Sequence, residues 1–90
     1  MSVIENERHK RELVLRLKRV EGQLRGIQAM IDEGRDCERV TQQLSAARRA
    51  LDKVFFQVLA CAIQATPPGA KPQAAAERLS QAAELLAKFG

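Results

Sequence analysis

The stretch CERVTQQLSAARRALDKVFFQVLAC, residues 37–61, decides the fold. It holds no glycine or proline, so nothing in it interrupts a single long helix. With Cys37 at position a of a heptad, the a and d positions are Cys37, Val40, Leu44, Ala47, Leu51, Val54, Val58 and Cys61. Every one is apolar or a thiol, and the chain's two cysteines mark the two ends of this seam. They are 24 residues apart, about 36 Å along a helix, so they cannot meet within one chain. Two such helices running antiparallel bring them together: residue i lies opposite 98 − i, and Cys37 faces Cys61. Val40 then meets Val58, Leu44 meets Val54 and Ala47 meets Leu51. The register requires under-winding to about 3.5 residues per turn, because a straight helix carries the two cysteines off one face.

Upstream, Leu13, Leu17, Val20, Leu24, Ile27 and Ile31 repeat in steps of four and three, which predicts a helix over residues 6–33. Gly34 suits the left-handed closure of that helix, and Asp36 suits the N-cap of the next. The middle helix is expected over 37–65, stopped by Thr66, Pro67, Pro68 and Gly69. A third helix is expected over 73–89, with Leu79, Ala82, Ala83, Leu86 and Phe89 on its inner face. No segment alternates as a strand does. The reading is all-α, one domain over residues 1–90. Three amphipathic helices in 90 residues cannot all bury their stripes alone, so an antiparallel dimer or larger even assembly is expected.

Composition narrows the class. One histidine and two cysteines cannot close a four-ligand zinc site within one chain, and two thiols are too few for a disulfide-built miniprotein. No apolar run approaches the roughly 18 residues of a membrane span, and the charged start does not read as a signal peptide. A cytoplasmic, thiol-reduced protein with no membrane role and no cofactor is expected. An enzyme is disfavoured, since His9 is the only candidate base of its type.

The net charge of +4 conceals a concentration. Between Arg8 and Arg25 stand seven cations (Arg8, Lys10, Arg11, Arg16, Lys18, Arg19 and Arg25) against Glu12 and Glu21. Arg11, Lys18 and Arg25 recur every seven residues, on the side away from the apolar stripe. Arg48, Arg49 and Lys53 form a second group on the middle helix. Such a row is a candidate phosphate-binding surface, or else simply a solvated face. The three aromatics, Phe55, Phe56 and Phe89, do not interleave with the cations, so double-stranded DNA is a better partner than stacked single strands. A plain coiled-coil interaction module accounts for the heptads but not for the cluster of cations.

The run RLKRVEGQLRG at 16–26, Asp36-Cys37, TQQLSA at 41–46 and AELL at 83–86 resemble the CsoR/RcnR/FrmR family of small all-helical bacterial repressors, over essentially the whole chain. The resemblance implies a dimer of dimers with antiparallel middle helices, DNA binding without a helix-turn-helix, and release of DNA when an effector reacts. It implies DNA contacts at Arg16, Lys18, Arg19, Arg48, Arg49 and Lys53, and Arg25 joins them on charge. Copper sensors of the family add a histidine and a cysteine from the partner's middle helix, at positions that are Ala62 and Thr66 here. The histidine-rich nickel site is missing too.

Two thiols remain to sense with. Cys37, in the first turn of a helix, is the expected nucleophile, because exposed N–H groups there stabilise a thiolate. Cys61 among Leu59, Ala60 and Ala62 is either a resolving thiol or a small core residue. The layout is similar to the persulfide-sensing (CstR-like) branch, with sulfane sulfur or an oxidant closing a Cys37–Cys61 link between chains. Cu(I) held by the two thiolates alone is a second reading, with His9 as a remote third donor. Formaldehyde is a third; its branch has proline second where Ser2 stands here.

Overall fold

The computed structural model describes residues 3–64 and 71–90, with residues 62–64 described by backbone alone. It contains three helices, α1 (Glu7–Asp32), α2 (Cys37–Gln64) and α3 (Pro72–Phe89), and no strand among the described residues. The all-α expectation holds, with helix ends within a residue of those predicted wherever they are described. The expected Thr66–Gly69 stop lies outside the described residues. The chain divides into two compact units: Asn6–Val54, and Phe55–Gly90 with Met1–Glu5.

In the first unit each helix boundary has a local cause. Asn6 caps α1, its side-chain oxygen accepting from the His9 backbone N–H at 3.0 Å. At the other end Gly34 takes φ 73°. Its N–H donates to the Ile31 carbonyl at 3.1 Å, and the Arg35 N–H donates to Met30 at 3.0 Å. This is the paired closure that a left-handed residue permits, and glycine adopts it without a Cβ clash. Asp36 then caps α2, accepting from the Arg39 N–H at 2.9 Å. A turn of four residues, Glu33 to Asp36, separates α1 from α2.

The core of this unit uses half of each heptad. On α1, Leu13, Val20 and Ile27 are each 4% exposed, whereas Leu17, Leu24 and Ile31 are exposed. On α2, Ala47 and Val54 are buried and Val40 half-buried, whereas Cys37, Leu44 and Leu51 are exposed. One line of positions, every seven residues, therefore faces inward on each helix. Val20 and Ala47 line a common groove, so they stand at one level. Complete burial of a side chain such as Leu13 or Ile27 contributes about 2 kcal/mol.

In the second unit the expected inner face of α3 holds at Ala82 and is corrected at its other four residues. Ala82 is its one buried residue, flanked by half-buried Ala75, Arg78 and Leu85. Leu79, Ala83, Leu86 and Phe89 are exposed. The covered line is built from alanines, Arg78 and Leu85, and the larger apolar side chains Leu79, Leu86 and Phe89 stand outside it. Phe55 and Phe56 meet edge to face, with ring centroids 5.2 Å apart.

Candidate functional site

Cys37 is the first residue of α2, held there by the Gly34 closure and the Asp36 cap. Its thiol is free and exposed. Its carbonyl accepts a hydrogen bond from Thr41 Oγ1 at 2.7 Å, which fixes the first turn. Of its arginine neighbours, Arg35 is engaged with Glu33 at 3.5 Å. Arg39 has no acidic partner among the described residues. Cys61 lies near the other end of the same helix, free and half-buried. One chain thus does not bring the two thiols together.

The eight seam positions do not behave as one surface. Ala47 and Val54 are consumed inside their own chain, at 4% and 5% exposure. Leu44, Leu51 and Val58 are exposed. Since seven residues nearly complete two turns, each heptad position forms its own line, and α2 presents the a line outward. The seam positions that α2 exposes are therefore Cys37, Leu44, Leu51 and Val58, with Val40 and Cys61 half-buried.

The predicted DNA-binding cations, Arg16, Lys18, Arg19, Arg25, Arg48, Arg49 and Lys53, are all exposed. The ion pairs among the described residues are Arg8–Glu12, Lys10–Glu7 and Arg35–Glu33, so none of the seven is tied to a carboxylate there. Each residue turns a helix by about 100°. Lys18 and Arg25, with Arg11, accordingly stand opposite the buried line of α1. Arg16 borders that line on the shoulder away from Leu17 and Leu24. The second group divides: Arg48 is turned about 100° from buried Ala47 to one side, Lys53 about 100° from buried Val54 to the other, and Arg49 falls on the back of α2.

Arg48 also borders two concavities that sequence reasoning did not find. A groove of about 190 Å³ is lined by Val20, Leu24, Leu44, Ala47, Arg48 and Leu51. A second hollow, of about 350 Å³, is lined by Thr41, Leu44, Ser45 and Arg48. The signal was available in the spacing, since Thr41, Ser45 and Arg48 follow Cys37 at four, eight and eleven residues. Among the described residues of one chain, no three histidine, cysteine or acidic side chains gather to hold a metal. No described helix is long and apolar enough to cross a membrane.

A two-helix hairpin with a free thiol at the start of its second helix and unpaired cations on its first has the make-up of a small effector-responsive regulator. A family model described as metal-sensitive transcriptional repressor matches residues 9–88, and the chain belongs to that family. It is thus a transcriptional repressor of the CsoR type, in a family of regulators rather than enzymes. It is similar to the copper-sensing transcriptional repressor CsoR of Bacillus subtilis, 35% identical over 79 residues, covering 82% of this chain and 78% of that protein. The copper-sensing transcriptional repressor RicR of Mycobacterium tuberculosis is 50% identical over 44 residues, 49% of this chain and 46% of that one. An uncharacterized protein of Serratia marcescens, from the bioA 5′ region, is 33% identical over 52 residues, 58% of this chain and 57% of its own length.

Proposed function

We propose that the 90 residues act as one cytoplasmic repressor domain that holds double-stranded operator DNA and releases it when Cys37 is modified or ligated together with Cys61 of the partner subunit. DNA contacts are assigned to Arg16, Lys18, Arg19, Arg25, Arg48, Arg49 and Lys53, whose charges have no acidic partners among the described residues. The protein acts as a dimer of dimers built on antiparallel α2 helices. The observation that carries the reading is the exposed thiol of Cys37 on a capped helix start, at the end of the outward apolar line of α2.

For sulfane sulfur the chemistry is two displacements. The Cys37 thiolate attacks the outer sulfur of a persulfide R–S–SH, forming Cys37–S–SH and expelling RS⁻. The thiolate of Cys61 of the partner subunit then attacks the Cys37 sulfur, closing a disulfide and expelling HS⁻. Cu(I) stands beside this reading on equal terms, because two soft thiolates suit it and the similar CsoR and RicR are copper-sensing.

Intact-mass analysis after polysulfide or Cu(I) treatment separates the two. Sulfur sensing gives a covalent Cys37–Cys61 dimer, reversed by a thiol reductant, in step with DNA release. Copper sensing gives one Cu(I) per thiol pair and release without a covalent link. If Cys61→Ala releases DNA normally under both treatments, the two-thiol mechanism is wrong.

A further inference from the structure

Leu15 is 54% exposed, on the face of α1 that turns away from the hairpin. At about 100° per residue, the buried Leu13, Val20 and Ile27 lie about 120–160° from it. The exposed apolar line of Leu17, Leu24 and Ile31, which a second copy of the chain would cover, lies about 160–180° from it. Neither the core nor that line reaches this face.

Two kinds of residue surround Leu15 there. Along the centre stand Gly22 and Gly26, within about 20° of Leu15, and Ala29, within about 40°. A Cβ placed at either glycine meets nothing within 4 Å. On the flanks stand cations. Arg11, Lys18 and Arg25 lie about 40–80° to one side, and Arg19, with Arg16 beyond it, about 40–100° to the other. None of these five is paired with a carboxylate among the described residues, whereas Arg8, at the start of the strip, is engaged with Glu12 at 3.6 Å. Leu15 is the large apolar side chain of a low strip that runs between two rows of positive charge.

That profile fits the major groove of double-stranded DNA. The groove is about 12 Å wide and admits one α-helix, with a row of phosphates on each rim. Cations on both flanks meet both rims, and a low centre lets the helix approach the base edges. We propose that this face of α1 enters the major groove of operator DNA, and that Leu15 is a specificity-determining residue that packs on a thymine C5-methyl group. The proposal rests on the reading of the chain as a DNA-binding repressor and adds which face reads sequence, and by what contact. Cations on phosphates position a protein without telling one sequence from another. An apolar side chain among them discriminates, because the thymine methyl is the apolar mark of the major groove.

The test uses the full chain and a duplex that it selects from a randomised pool of double-stranded DNA, with a base-shuffled duplex as control. Both duplexes are made with thymine and again with uracil, which lacks the methyl. Uracil is expected to weaken binding of the parent to the selected duplex about fourfold for each methyl contacted, the scale of one such group taken out of water. Leu15→Ser lowers affinity for the selected duplex by at least that factor, leaves the shuffled duplex unaffected, and makes the protein indifferent to uracil. Leu15→Met, which conserves volume, keeps most of the parent's sensitivity. The salt slope of Leu15→Ser stays that of the parent, whereas Arg19→Gln flattens it by about 0.9 on both duplexes alike.

A parent protein that ignores uracil, a Leu15→Ser variant as sensitive to it as the parent, or equal losses on the selected and shuffled duplexes overturns the proposal. A smaller assembly on Leu15→Ser overturns it too, since the face would then pack on protein. In each of these cases a parent that still prefers its selected duplex leaves the repressor reading intact. A parent that selects no duplex and binds none in a salt-dependent way fails both.

Discussion

Two glycines in the interior of α1 allow a sharp test of which face of that helix is open. Gly22 and Gly26 have nothing within 4 Å of where a Cβ would stand. They carry helical backbone geometry, since the positive-φ glycine of the described chain is Gly34. A glycine inside a helix costs about 1 kcal/mol relative to alanine, through the freedom of the unfolded chain. With open space around both, Gly22→Ala and Gly26→Ala each stabilise the fold by about 1 kcal/mol and together by about 2 kcal/mol. For a domain of this size each kcal/mol raises Tm by about 4–8 °C, so the double variant melts about 8–16 °C higher at matched protein concentration. In an oligomer the gain and the unfolding entropy scale together, and the shift per chain is preserved. Gly22 faces away from buried Val20, near Lys18 and Arg25. An operator titration over a salt series therefore accompanies the melt. Its slope is expected to stay that of the parent, because no phosphate-neutralising charge has been removed. An unchanged or lowered Tm would refute the reasoning, since it requires a partner surface seated closely against the glycine face of α1.

Three further outcomes follow from the geometry. Arg16→Ala leaves helicity intact, because Arg16 is exposed and free of acidic partners among the described residues; it lowers operator affinity and flattens the log–log salt slope by about 0.9 for each phosphate no longer neutralised, and a collapse of helicity would show the arginine to be structural. Asp36→Ala removes the acceptor of the Arg39 N–H, costs about 1 kcal/mol, and alters the rate of Cys37 alkylation relative to that of Cys61; an unchanged ratio would show that the cap does not govern the thiol. Leu51→Glu places a charge on the outward line of α2 at a residue already 47% exposed in one chain, so light scattering should show a smaller assembly with far-ultraviolet helicity retained, and an unchanged mass would place the association surface elsewhere.

Much of the fold was legible because its causes are local. Both ends of α1 and the start of α2 follow from Asn6, Gly34 and Asp36, each acting through one or two hydrogen bonds within its own turn. The inner face of α3 was not legible in the same way. Its pattern offers Leu79, Ala82, Ala83, Leu86 and Phe89, and of these burial falls on Ala82 alone, with Ala75, Arg78 and Leu85 beside it. Periodicity locates a helix and its apolar side, whereas which line within that side is covered depends on a neighbour the pattern does not contain. The same ambiguity merged two lines of α2 into one seam.

The division of the heptads ties effector chemistry to assembly more closely than an undivided seam would. Within the first unit, burial satisfies Leu13, Val20, Ile27, Ala47 and Val54, while Leu17, Leu24, Ile31, Leu44 and Leu51 stay in contact with solvent. An exposed apolar set of this kind, on two helices joined by a four-residue turn, is stabilised by covering it with another chain. Cys37 stands on the outward line of α2, seven residues before Leu44. A group added to its sulfur is therefore added at the rim of the surface that association would cover, not in the interior of one protomer. A switch placed there needs no change in the Leu13–Val20–Ile27 core. It needs only to favour one packing of the outer line over another, and each kcal/mol of that preference shifts the balance between the two arrangements about fivefold.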